Sequence, residues 1–482
     1  GCDEEIEAVV RALSGGFVPP GPGGHLSRGK VDALPTGRNF YGVDLSRIPT
    51  PAASVVGARM GAKLLDAYLA DEGRFPETIG VTLWSSDAFQ ADGELTAQVL
   101  WLMGCTARRD GAGKVVGVAV EPLESLVHAR ADGEVAPRPR IDVVVQMSGI
   151  VRDSLPGVYA LLDKAVTAVA ELDEPDDRNF VRAHVRARMA ELRAVLDGVE
   201  DASLKRLASY RCFSAADGGY GGGVELAIDA SAWEDDADLA EALVNTSGTA
   251  FGADGRAARV PPGRQMAEYA HLLGRMDLSY QRAGSAEADV LSCGTLGVQG
   301  GNAAAKRALG NGGLRLYWGV THATADGEVR STADEIAQAL AVSILNPDWI
   351  GAARARGYAG ASEVSDRVNR LFGWSAAARA VQRHQFDAVH DALVTNAETR
   401  EWLREANPYA FEEITRRLLE AEARGLWAAD ARRLDELHGA VLALEGDIEE
   451  AMGSVSGEFQ GAAVDVRTRG QVKEWAYAYR AK

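Results

Sequence analysis

The sequence predicts a multi-lobed α/β protein whose mostly parallel sheets are flanked by helices and followed by a helical C-terminal lobe. Three observations point there. Short β-branched runs such as Ile79 to Leu83 alternate with longer segments of helical apolar spacing, the pattern of buried strands joined by crossover helices. From Asp334 to Glu450 the spacing is helical almost throughout, with apolar residues three and four apart in "ADEIAQALAVSIL", "FDAVHDALV" and "AFEEITRRLLEAEARGLW". The 482 residues, 46% apolar and 25% charged, can build about two to four lobes, and no segment is polar enough to remain unfolded.

Taken in order, residues 4 to 14 read as a helix, and residues 15 to 40 as a long Gly- and Pro-rich loop. Pro51 opens a helix that reaches Glu72, since proline suits the first helical position. The strand in "TIGVTLWSSD" ends at a polar turn, and a helix over Glu94 to Met103 follows. "KVVGVAVEPL" and "RIDVVVQMSG" read as two more strands, then Leu155 to Glu171 as a helix. Residues 177 to 210 carry charges at helical spacing and form solvated helix faces. "VELAIDASAW" and "GLRLYWGVTHAT" read as further strand or buried apolar segments. These patterns divide the chain into an N-terminal helix and loop (1–49), an α/β lobe (50–205), a second α/β lobe (206–333) and the helical lobe (334–482).

Charge and cysteine usage exclude several classes. A formal charge of −18 argues against broad contact with nucleic acid or anionic lipid, which relies on clustered Lys and Arg. Cys2, Cys105, Cys212 and Cys293 form no CxxC pair, so neither a disulfide framework nor a thiolate zinc site is expected, and a reducing cytoplasm fits. No apolar run approaches the roughly 18 residues of a membrane span, and no positively charged, apolar leader opens the chain. The absence of an initial Met suggests a trimmed start or the rear part of a longer polypeptide.

The common catalytic motifs are missing as well. No G-x-x-x-x-G-K-[ST] occurs, and "GAGKVV" at Gly111 has Val where the Mg²⁺-binding hydroxyl should stand, so no nucleotide site is expected in this chain. The first βα turn lacks G-x-G-x-x-G, and neither G-x-S-x-G nor H-E-x-x-H appears. His384 and His390 are six apart and do not share a helix face; His322, after a strand-like run, is the better-placed histidine. In an α/β sheet, ligands bind beyond the carboxyl ends of strands, which directs attention to Trp84 to Glu94 and Gln146 to Asp153.

The most specific stretch is "RLASYRCFSAADGGYGGGVELAIDASAWEDDADLAEALVN". It resembles a block in the large subunit of the ATP-dependent tetrapyrrole metal chelatases, the family of the cobaltochelatase and magnesium chelatase large subunits. "LPTGRNFYGVDLSRIPTPAA", "WSSDAFQADGELTAQVLWLMGC", "RIDVVVQMSGIVRDSLP", "LNPDWIGAARARGYAGASEV", "LFGWSA" and "LREANPYAFEEITRRLLEAEARGLW" are similar to further blocks of that family, in its order. The resemblance covers essentially the whole chain but only the C-terminal part of the family's usual polypeptide.

The resemblance implies a subunit that binds a tetrapyrrole while a divalent metal, Co²⁺ rather than Mg²⁺, is inserted as substrate. Separate AAA+ ATPase subunits use the ATP, and a separate protein corresponding to the front half is a further expected partner. It implies acid/base roles for Asp44, Asp87 and Glu94, and ring contacts for Arg38, Asn39, Tyr41, Trp84, Arg152, Arg211 and Tyr220, with Phe89 as a further aromatic wall. No metal ligand set is assigned. The segment Leu291 to Gln299 has no acidic side chain, leaving Asp289 upstream and Gly300-Gly301 at a helix entry; Cys293 reads as a small buried hydrophobe. That gap disfavours Mg²⁺, which prefers oxygen ligands, and leaves open a chelatase-derived protein that binds without inserting metal, as well as a magnesium-type subunit. The glycines of "DGGYGGG" are expected to permit positive φ and close backbone approach, with Tyr220 at the tip.

Overall fold

The computed structural model describes residues 2–23, 31–129, 133–257, 260–283, 288–310, 312–322 and 326–452. Its centre is an eight-stranded sheet built from β1 (Thr78–Leu83), β2 (Asp142–Met147), β3 (Cys212–Ser214), β4 (Thr249–Gly252), β5 (Gly255–Arg256), β6 (Leu278–Arg282), β7 (Arg315–Val320) and β8 (Glu328–Ser331). The spatial order is β5-β4-β3-β2-β1-β6-β7-β8. The inner five strands run parallel, while the pairings β3 with β4, β4 with β5 and β7 with β8 are antiparallel. Every residue of β1 and β2 is buried, which is why their centres, Ile79 to Val81 and Val143 to Val145, read as apolar runs without alternation.

The helix Pro51–Glu72 begins and ends where the sequence puts it. Thr50 caps it by accepting from the Ala53 N–H at 3.2 Å, and Gly73 ends it at φ 70°. Its partner Glu94–Leu102 packs on it closely because Gly57 and Gly61 leave room: a Cβ at Gly57 would lie 2.6 Å from backbone atoms of Glu94 and Gln98. Together with Pro156–Ala170 these helices cover one face of the sheet; Asp236–Ser247, Pro262–Arg275 and Gly301–Leu309 cover the other. Beyond β8 the described chain is helical to Met452, as the periodicity predicts.

Three local expectations change. "KVVGVAVEPL" does not join the main sheet: Cys105–Arg109 and Val115–Val120 form a separate antiparallel ribbon, half exposed, turned by Asp110, which accepts from the N–H groups of Ala112 and Lys114. "VELAIDASAW" starts as a helix, Val224–Asp229, because its buried residues Val224, Ala227 and Ile228 follow helical spacing. The two α/β stretches that the sequence divides at residue 206 share one sheet, since Thr82 of β1 pairs with Gln146 of β2 on one side and Gln281 of β6 on the other.

This last pairing places the site. From β1 the chain moves outward through β2 and β3, then returns to the opposite side of β1 as β6. Connections leaving β1 and β6 therefore diverge and leave a crevice at their carboxyl ends, where open α/β sheets bind ligands. Among the described residues no helix is long and apolar enough to cross a membrane.

Candidate functional site

Trp84, Asp87 and Glu94 follow β1, Arg282 ends β6, and Thr321 and His322 follow β7, so all share the carboxyl edge around the crevice. The Thr321 hydroxyl donates to Glu94 Oε2 at 2.8 Å, joining the loop after β1 to the loop after β7. Arg282 Nε lies 3.7 Å from Asp87 Oδ1. Asp87 also accepts from the N–H groups of Leu95 (2.7 Å) and Thr96 (3.1 Å) and from the Thr96 hydroxyl (2.8 Å), so it caps the helix Glu94–Leu102. Burial pushes its carboxyl pKa up, against Arg282 and these hydrogen bonds. With both oxygens taken, Asp87 is a positioning group for Glu94, whereas Glu94 sits at the crevice margin.

Thr82 Oγ1, Trp84 Nε1, Gln281 Oε1 and Trp318 Nε1 are among the buried polar atoms of the described residues that have no hydrogen-bond partner. Thr82, Gln281 and Trp318 are lateral neighbours in the ladder and so point to one face. Because buried polar groups are ordinarily satisfied, a row of unpaired ones at the switch point marks where donors and acceptors are available to a ligand. Sequence reasoning missed Gln281, Arg282, Trp318 and Thr321. A detectable signal was the charged residue closing "LSYQR".

The glycine-rich loop lies beyond β3, on the same edge. Arg152 donates from one Nη1 to the carbonyls of Ala215 (2.9 Å), Ala216 (2.7 Å) and Gly219 (2.9 Å), so its guanidinium shapes the loop from within. Tyr220 is 63% exposed at the tip, its hydroxyl donating to Asp153 at 2.8 Å and its ring 5.4 Å from the Arg152 guanidinium. Gly218, Gly221 and Gly223 have φ of 80°, 84° and 78°, and a Cβ at Gly222 would lie 2.8 Å from the Gly297 carbonyl oxygen. The expected positive φ and close backbone approach are both present, with Leu296–Gly300 as the neighbour approached. Phe89 lies on the helix Ser86–Ala91, 41% exposed.

The strip before the first long helix borders this edge, since a Cβ at Gly93 would meet Ile48 and Pro49. Its named residues serve the loop. Asn39 Nδ2 donates to the carbonyls of Pro22 (2.7 Å) and Ala33 (2.8 Å); Asp44 accepts from the N–H (3.0 Å) and hydroxyl (2.6 Å) of Ser46 and is solvated. Those hydrogen bonds lower the Asp44 pKa. Arg38 is exposed, and the backbone of Tyr41 lies in the short strand Asn39–Tyr41; its side chain is outside the described residues.

Arg211 is not in this assembly. It precedes β3, at the amino edge of the sheet, where its Nε and Nη2 donate to Asp142 at 2.7 and 2.9 Å. Arg211 is 3% and Asp142 0% exposed, so the expectation of a ring contact gives way to a buried bidentate ion pair. The physical reason is topological: a residue opening a parallel strand lies at the end opposite the carboxyl-edge crevice. Burial alone would raise the Asp142 pKa, but Arg211 and His184 outweigh it and hold the carboxyl at about 2.

Asp289 is likewise structural, 2.8 Å from Arg367 Nη1 and accepting from the Leu291 N–H. Cys293 Sγ donates to the Asp289 carbonyl at 3.0 Å, and burial pushes its thiol pKa up, away from the thiolate a metal would need. His390 is buried and His384 exposed on one helix, so they share no face. Among the described residues no group of three or more His, Cys, Asp or Glu side chains could hold a metal ion.

Residues 1–434 match the family model described as CobN/Magnesium Chelatase. The chain is 36% identical over 427 residues to the aerobic cobaltochelatase subunit CobN of a Sinorhizobium species, covering 88% of this chain and 32% of that protein. It is 32% identical over 449 residues to the chloroplastic magnesium-chelatase protein ChlH of Oryza sativa subsp. indica, covering 93% of this chain and 31% of that one. The solved catalytic subunit of cobaltochelatase from Mycobacterium tuberculosis superposes with a TM-score of 0.82 at 35% identity, over 92% of this chain and 36% of the other. The chain thus spans about a third of the length of the relatives it matches.

Proposed function

Because this chain belongs to the CobN/magnesium chelatase family, we propose that it is the tetrapyrrole-binding part of an ATP-dependent chelatase that inserts Co²⁺ into a corrinoid-type ring. The observation that carries the reading is the switch-point crevice, with its row of unpaired buried polar atoms and aromatic margins. Metal insertion must strip water from a divalent ion, remove two pyrrole protons and distort the ring. Trp84, Phe89 and Tyr220 supply aromatic surface along one edge, and Glu94 supplies a carboxylate beside it. Energy comes from AAA+ ATPase partners, in keeping with the missing nucleotide loop, and the remaining portion found in the relatives completes the cavity, in this protein or a separate one.

Cobalt is the first reading because Leu291 to Gln299 carries no acidic side chain of its own, and Mg²⁺ prefers oxygen ligands. Magnesium is the second reading, supported by the comparable coverage of the magnesium-chelatase relative. The free cysteines Cys105, Cys212 and Cys293 fit the reducing cytoplasm as the compartment.

Titration with a free-base corrinoid or porphyrin is expected to quench tryptophan fluorescence saturably, with Trp84 and Trp318 along the crevice edge. No quenching at high ligand concentration overturns the reading. Binding without an ATP-dependent spectral change when Co²⁺ and the ATPase partner are added would instead support a relative that binds rings and no longer inserts metal. Tyr220→Ala should weaken ring binding about tenfold, the scale of one lost aromatic contact, with no change in melting temperature, because the ring is exposed.

A further inference from the structure

Glu225 stands two residues into the helix that follows the glycine-rich loop. Its carboxylate lies over the backbone of the neighbouring segment: a Cβ at Gly297 would fall 1.9 Å from its carboxyl carbon, and one at Gly294 would fall 3.4 Å from Oε1. The backbone N–H groups of Gly222 and of Glu225 itself point at it. It is half-buried, and no cation lies within ion-pair distance of it among the described residues. The segment beneath, Leu291 to Gln299, contains no acidic side chain of its own. Among the described residues no ion pair takes up this carboxyl, in contrast to Asp87, Asp142 and Asp289.

We propose that Glu225 is a proton-accepting carboxylate of this site, taking pyrrole protons from the ring as the metal enters. The inference rests on the ring-binding reading above. When a pyrrole N–H breaks, its electron pair stays on nitrogen for the bond to the divalent ion, and the proton forms an O–H bond on Glu225. Glu225 returns that proton to water before the second transfer, so one metal ion is taken up, two protons are released and no oxidation state changes.

Its surroundings make it a stronger base than an exposed glutamate. Burial raises the Glu225 pKa, partly offset by the two N–H groups and by Arg370 of the helix Tyr358–Ala378, while Asp229 on its own helix raises it further. Further charged or titratable groups around it are Asp366 and Glu363 beside Arg370, Glu413, Arg416 and Arg417 near Asp229, and Cys293 on the segment below. The sign follows: insertion needs the ionised carboxylate, so the rate should fall as pH drops through the raised pKa.

The test is Co²⁺ insertion by the complete enzyme with its ATPase partner, measured against pH for wild type, Glu225→Gln and Glu225→Asp, with ring affinity measured in parallel. Glu225→Gln is expected to slow insertion about 100-fold or more and remove the acid limb of the pH profile while binding ring as wild type does. Glu225→Asp should retain an acid limb at a shifted pH with a partial rate. A Glu225→Gln rate within about twofold of wild type, with the same profile, overturns the inference and leaves ring binding intact. Failure of wild type to bind the ring overturns the underlying reading and this inference with it. Should the glutamine variant not fold, an aspartate profile identical to wild type overturns the inference by itself.

Discussion

Arg211→Met is expected to lower unfolding free energy by about 3–5 kcal/mol while leaving ring affinity unchanged. The guanidinium holds both oxygens of Asp142, a carboxylate with no solvent exposure, and also donates to the carbonyls of Ala208 (2.8 Å) and Tyr210 (3.0 Å). Removing it strands a buried charge that His184, 3.0 Å away, compensates only in part. Denaturant unfolding monitored by circular dichroism measures the first effect, and fluorescence titration of the folded variant measures the second. A variant as stable as wild type with impaired ring binding would restore Arg211 to the ligand site.

The same pair predicts the acid limb of stability. Asp142 titrates at about 2 in the folded protein, below its ordinary value of 3.8, so its contribution is fully present above the unfolded pKa and disappears as pH falls from about 4 toward 2. The shift corresponds to roughly 2 kcal/mol at neutral pH. In Arg211→Met that support is largely absent at every pH, so acid unfolding should begin at a higher pH than in wild type.

Asp87→Ala should cost a similar amount, about 3–5 kcal/mol, for a different reason. It removes three hydrogen bonds at the start of the helix Glu94–Leu102 and takes the carboxylate away from buried Arg282. Because Asp87 positions Glu94, ring-dependent activity should fall with the loss of order in that turn. Asp87→Asn keeps the shape and one acceptor, so it should recover most of the stability if capping dominates. A stable Asp87→Ala variant with abolished activity would instead make Asp87 an acid/base group in its own right. Chemical denaturation of both variants decides between the two.

Much of the architecture was legible in the chain. β1 and β2 are buried on both faces, and the short apolar runs at their centres, Ile79 to Val81 and Val143 to Val145, announce them. The helix Pro51–Glu72 is bounded by a capping threonine, a first-turn proline and a terminal glycine, all local signals. β6 was not legible: "LSYQR" mixes polar and apolar side chains because its serine and glutamine face buried polar groups of Asn302 and the switch point. The run Val115–Val120 reads as an ordinary strand because, seen alone, it does not reveal its partner Cys105–Arg109.

At the site, short-range signals in the chain carry the family resemblance, the glycine-rich loop with Tyr220 at its tip, and the polar turn after β1 with Trp84, Asp87 and Glu94. Each depends on residues close together in the chain, where local backbone preference and spacing act. It takes the folded arrangement to show that Arg211 belongs to a buried pair at the far end of the sheet, that Asp87 is a cap, and that Glu225 lies over Gly297. Those outcomes depend on which strand neighbours which and on what occupies each carboxylate's lone pairs. Such contacts join residues tens to hundreds of positions apart, as in the Glu94 and Thr321 hydrogen bond, and folding the sheet is what brings them within reach.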